Sequence, residues 1–136
     1  MLKSIALYTA LVTLGVVLSP ILEPSSAPAQ VSAFKRTILQ RADVPGTNLE
    51  LIIATVDIAP GARAGRHTHP GMTMAYVVDG DFWQHVDGQP EQILHAGDST
   101  SNPNRAIHDE GALDKPVKLH AVYVVEKGQP LASSAQ

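Results

Sequence analysis

The chain contains no cysteine. Disulfides, zinc–thiolate sites, iron–sulfur clusters and thiol nucleophiles are therefore excluded together, and any metal must be held by histidine or carboxylate. An excess of positive charge is also missing, since ten Lys and Arg stand against thirteen Asp and Glu for a formal charge of −3. That balance gives no electrostatic footprint for a polyphosphate backbone, so no nucleic acid partner is expected. Apolar residues at helical spacing over three turns are lacking beyond the first eighteen positions, which argues against a helical bundle. What remains is 136 residues with ten glycines and ten prolines, enough for one turn-rich domain and too little for two.

The N-terminus has the form of a secretory signal. One positive charge, Lys3, precedes an apolar run from Ile5 to Leu18, and Ser19-Pro20 ends it. The run spans about fourteen residues, short of the roughly twenty that a membrane span needs. Ser25-Ser26-Ala27-Pro28-Ala29 supplies an A-x-A cleavage pattern. Residues 1–29 are thus expected to be a signal peptide and residues 30–136 a single secreted or periplasmic domain, with no stable membrane span after processing. An uncleaved anchor is the other reading, and it too puts the working domain outside the cytoplasm.

The remainder reads as strands joined by turns. Thr37–Arg41 and Leu49–Ile58 are rich in apolar and β-branched residues and flank Asp43-Val44-Pro45-Gly46, a turn signal. Gly65 opens an extended piece with His67 and His69, and Thr73–Val78 is a further strand closed by Asp79-Gly80. Phe82–Val86 and Gln92–His95 flank Asp87-Gly88, a dipeptide suited to a tight hairpin. Val117–Val125 is the last long strand, followed by a small polar tail. An all-β sandwich or barrel is the expected architecture.

His67-Thr68-His69 carries the clearest chemistry. Residues i and i+2 of a strand project to one face, so two imidazoles reach one point while Thr68 turns away. Imidazole is the commonest metal-binding side chain, but two ligands alone make a weak site.

At this point the residues resemble the cupin superfamily. Gly61, His67, His69 and Gly80 match the spacing of its first motif, G, five residues, H-x-H, three or four residues, E, six residues, G. Thr73 stands where that motif has Glu. In the second motif, G, five residues, P-x-G, two residues, H, three residues, N, the residues Gly97, Pro103 and His108 are in register, with Arg105 in the place of Gly and Ala112 in that of Asn. The likeness runs from about Thr37 to Leu131. It implies a double-stranded β-helix, a jelly-roll-like barrel with its site near one mouth. It also implies that His67, His69 and His108 bind one divalent first-row metal (Fe, Mn, Zn, Ni or Cu, which three imidazoles do not distinguish) with coordination positions left open. Loss of the Glu resembles the three-His cupins, among them the thiol dioxygenases, and equally a non-catalytic cupin.

Other residues have weaker claims. Gln84 alternates with Phe82 and Val86 and is a candidate inward ligand or substrate partner; the opposite alternation would bring Trp83 and His85 inward. Arg105, in the loop before His108, is a candidate for orienting a substrate carboxylate, against an exposed Arg in a loop where an Asn takes the left-handed conformation. His85, His95 and His120 read as solvated, and Met72, Met74 and Tyr76 as core packing. The expected function is an exported cupin that binds one metal ion and acts on a small molecule, most readily by oxygenation because no carboxylate base sits at position 73. The alternative is a binding or sensing barrel without turnover. An unpaired first strand gives a reason to form a homodimer.

Overall fold

The computed structural model describes residues 32–136, and the expected signal peptide lies outside them. Ten strands run through the described residues: β1 (Phe34–Asp43), β2 (Leu49–Ile58), β3 (His67–Thr68), β4 (Gly71–Asp79), β5 (Phe82–Val86), β6 (Gln92–Leu94), β7 (Ser99–Asn102), β8 (His108–Ala112), β9 (Val117–Glu126) and β10 (Ser133–Ser134). They build two five-stranded sheets, ordered β1-β2-β9-β4-β7 and β10-β3-β8-β5-β6. Every strand pairing is antiparallel. Two such sheets with neighbours drawn from distant parts of the chain are the expected double-stranded β-helix.

Alternation explains where the core sits. β2 turns Ile52, Ala54, Val56 and Ile58 inward, and β9 turns Val117, Leu119, Ala121, Tyr123 and Val125 inward, all buried. The facing sheet adds Phe82, Leu94 and Ala112, with Phe82 wholly inaccessible to solvent. His120 falls on the opposite face of β9 and is exposed, as its neighbours Lys118 and Glu126 imply. Asp87-Gly88 forms the centre of a turn closed by Gln89 N–H donating to the Val86 carbonyl (2.9 Å). Only Gly88 of the two has a positive φ (78°), and pairing resumes at Gln84 and Gln92, so the loop is wider than a two-residue hairpin.

The structure corrects the reading of β4. Met72, Met74 and Tyr76 are 41%, 53% and 49% exposed, whereas Thr73 and Val77 are buried. The larger apolar side chains point out of the barrel because the inward positions of β4 face the site, where Thr73 meets polar neighbours. Two strands, β7 and β8, and the short β10 had no clear signature, since Ser99–Asn102, His108–Ala112 and Ser133–Ser134 lack the β-branched aliphatic residues that mark strands.

Candidate metal centre

β3 and β8 are paired with His67 directly opposite His108. Cross-strand partners place their side chains on one face, and the i+2 relation brings His69 to the same place. The ring centroids are 4.2 Å apart for His67 and His108, 5.0 Å for His67 and His69, and 5.2 Å for His69 and His108. One nitrogen from each ring lies within 4.8 Å of the others. The three histidines expected to converge therefore do so, from two distant stretches of chain.

The backbone fixes which nitrogens converge. Nδ1 of His67 lies 2.8 Å from the Gly65 carbonyl, Nδ1 of His69 lies 2.6 Å from the Leu131 carbonyl, and Nδ1 of His108 lies 3.0 Å from the Ala106 carbonyl. A carbonyl only accepts, so each Nδ1 carries a proton and each neutral ring keeps its lone pair on Nε2. His108 Nε2 is buried and has no hydrogen-bond partner among the described residues. An orphaned buried acceptor costs about 1–3 kcal/mol, which a bound cation would offset. Burial pushes the His69 pKa down to about 4 against the opposing Leu131 carbonyl, with His67, His108 and Arg36 lowering it further. Burial also lowers that of His108. Burial thus favours the neutral form of His69 and His108, the form that binds metal. His67, His69 and His108 fit a divalent ion, and a three-imidazole set leaves positions for substrate.

A carboxylate stands beside this triad that the sequence reading did not include. Glu110 follows His108 by two residues on β8, and its Oε2 is 3.9 Å from His108 Nε2. The same alternation that pairs His67 with His69 would have found it, had His108-Asp109-Glu110 been read as a strand. Burial raises the Glu110 pKa, while electrostatic interaction with His67 and Arg36 opposes the rise. Tyr123 enters from β9, its ring centroid 5.4 Å from that of His69, and its hydroxyl accepts a hydrogen bond from Arg36 Nε (3.0 Å). Burial raises its pKa and keeps it a neutral phenol.

The weaker candidates are placed differently. Gln84 is inward and buried, as one of the two alternations required, with Trp83 and His85 on the other face. Its amide is satisfied in a buried network: Nε2 donates to Asn102 Oδ1 (2.8 Å), Oε1 accepts from Thr100 (2.8 Å), and Asn102 Nδ2 donates to Thr73 (3.2 Å). That network supports the floor of a cavity of about 20 Å³ bounded by His69, Thr73, Glu110 and Tyr123. Gln84 thus lines that cavity with both ends of its amide already engaged by Asn102 and Thr100. Arg105 does not reach the site, because its guanidinium is exposed and paired with Glu126. It is Arg105 itself, not a neighbouring Asn, that adopts the left-handed conformation (φ 58°) in the place of the motif glycine. Its carbonyl accepts from Thr68 Oγ1 (2.9 Å) and its N–H donates to the Gly71 carbonyl (3.0 Å), which ties the loop before His108 to the segment bearing His67 and His69.

Two antiparallel sheets closed around three convergent histidines define a cupin-type barrel whose histidines are positioned to bind a metal ion. The Cupin domain family matches residues 54–125, and the chain belongs to that family. No curated protein matches the chain by sequence. Among solved structures, a cupin-like protein from Thermotoga maritima is similar, with 25% identity over 86% of this chain and 89% of its own, and a TM-score of 0.60. A DMSP lyase from Ruegeria pomeroyi has 18% identity over 82% of this chain, with a TM-score of 0.64. An oxalate oxidase in complex with glycolate has 19% identity over 78% of this chain, with a TM-score of 0.60. The chain spans 57% of the length of each of these two enzymes.

Proposed function

We propose that this chain is an exported, metal-dependent cupin enzyme that acts on a small organic molecule by metal-assisted proton transfer, of the elimination or isomerisation kind. The observation that carries the metal reading is the buried, partnerless Nε2 of His108 among three rings whose Nδ1 protons are all bound to backbone carbonyls. A divalent ion held by His67, His69 and His108 would supply Lewis acidity toward a substrate oxygen. Glu110 supports the reaction class, because a carboxylate of raised pKa beside the triad is suited to take and return a proton. Tyr123 provides a neutral hydroxyl on the opposite wall. Thr73 leaves no carboxylate at the motif position, and Glu110 supplies one from another strand.

Oxygenase-type chemistry is the second reading. It is favoured by the three neutral ligands and by Thr73, whose hydroxyl is engaged by Asn102 rather than by the triad. The neighbouring folds include proteins described as a lyase and as an oxidase, so the architecture supports either. Export rests on the signal-like segment Met1–Ala29.

Elemental analysis of untagged protein tests the metal centre. Native protein is expected to hold about one equivalent of metal per chain, and the His67→Ala, His69→Ala double variant none. Equal content in both overturns the proposal. Turnover without dioxygen that disappears in Glu110→Gln supports proton transfer; obligatory dioxygen consumption assigns the second reading instead. Stabilisation by small ligands with no turnover in either atmosphere assigns a binding barrel.

A further inference from the structure

A second cavity, of about 290 Å³, opens at the outer side of the triad. Its lining includes His67 and Glu110 from the centre, Phe34 and Arg36 from β1, and Ser133 and Ser134 from β10. That volume lies at the lower end of the range for small-molecule sites. The cavity thus adjoins the metal centre and has room for a compact substrate.

Its charge indicates the ligand chemistry. Arg36 is paired in register with inward-facing Val56, so its side chain starts from the inner face of β1. Its Nε is anchored on the Tyr123 hydroxyl, and its carbon Cζ lies 5.2 Å from the centre of that ring. Among the described residues Arg36 enters no ion pair, and its two terminal nitrogens have no acceptor. A guanidinium held at Nε presents the terminal fork that matches a carboxylate with two parallel hydrogen bonds. Arg63 also lines the cavity, but its guanidinium is stacked 3.5 Å over the ring of Trp83, on the outer face of β5. Arg36 is thus the cation with its terminal nitrogens free toward the cavity, beside the carboxylate of Glu110.

We propose that this cavity is the substrate pocket and that it takes a small organic carboxylate, with Arg36 as the specificity-determining residue that clamps the carboxylate. The inference rests on the enzyme reading above and adds the class of its substrate. It moves the anion-recognising role expected of Arg105 to a residue on β1. Phe34 supplies an apolar wall for the body of the molecule, and the Ser133 and Ser134 side chains offer hydroxyl groups at its rim.

Calorimetric titration with malonate, and with malonamide as the uncharged counterpart, tests the proposal on both zinc-loaded and metal-free protein. Malonate is expected to bind and malonamide to bind at least tenfold more weakly. Arg36→Met is expected to weaken malonate roughly ten- to hundredfold, the loss typical of a charge-assisted pair, and Arg36→Lys to weaken it less. Zinc affinity and thermal midpoint are expected to stay unchanged in Arg36→Lys, which separates recognition from folding. Equal malonate affinity in native protein and Arg36→Met, or equal affinity for malonate and malonamide, overturns the proposal. If zinc does not bind at all, the metal reading fails by itself, and the metal-free titration still decides the role of Arg36.

Discussion

His69 shows how a single side chain ties fold to chemistry. Its ring is buried beside Tyr123, its Nδ1 is fixed by the Leu131 carbonyl, and its pKa is pushed down to about 4. A histidine whose folded value is depressed binds fewer protons than the unfolded chain. The stability it contributes is complete above its ordinary 6.5 and is lost as pH falls through that value toward about 4. Glu110 acts with the opposite sign: its raised value favours folding below its ordinary 4.5, a contribution lost as pH rises through the folded value. The two oppose each other, and the lowered His108 acts with His69, so urea unfolding of metal-free protein is expected to show a decline from pH 6.5 to 4 that the histidines cause and Glu110 partly offsets. His69→Gln is expected to flatten that decline, and an identical slope in both proteins would contradict the burial argument. Legibility at this scale followed sequence distance. His67 and His69 were readable because two residues on one strand share a face. His108 was readable only through the spacing of a family motif. Glu110 and Arg36 were not, because their place at the site depends on which strands pair.

At the scale of elements, the site is assembled by short strands that carry little signal of their own. β2 and β9 were legible from ten-residue runs with inward Ile, Val and Leu. β8, with a glycine, an alanine and two carboxylates in five residues, was not. Gly111 has a packing reason: a Cβ there would lie 2.3 Å from the Ala62 carbonyl oxygen, so only glycine lets residues 62–63 run against β8. The polar tail proves equally structural. β10 pairs Ser133 with Thr68 and Ser134 with His67, and Leu131 just before it holds His69. Deleting residues 131–136 removes both the acceptor for His69 Nδ1 and the strand beside β3. Such outer partners typically change metal affinity ten- to a hundredfold. Zinc titration of the truncated chain is accordingly expected to show a loss of that order with the core sheets retained by circular dichroism; undiminished affinity would mean that the tail plays no part in ordering the triad.

For the molecule as a whole, the first sheet has an apolar outer face that includes Met72, Met74 and Tyr76, which the sequence reading assigned to the core. Cross-strand rows Leu51–Val124–Met72 and Ile53–Val122–Met74 run across β2, β9 and β4, ending in the exposed methionines beside Tyr76. β1 lies at the open edge of the same sheet. Exposed apolar surface of this kind favours association, and a homodimer through this face is the expected solution state. Sedimentation analysis is expected to give twice the chain mass for native protein and a monomer for Met74→Glu with its β-sheet spectrum intact. A native monomer would leave the rows as ordinary surface. The closure of β10 over His67 has a practical corollary for anyone purifying the protein. Gln136 ends within reach of Arg66, whose Nη2 donates to its carbonyl (3.0 Å). A polyhistidine tag fused there would hang competing imidazoles from the residue bonded to Arg66, next in the chain to His67, and counterfeit the very metal content it was meant to help measure.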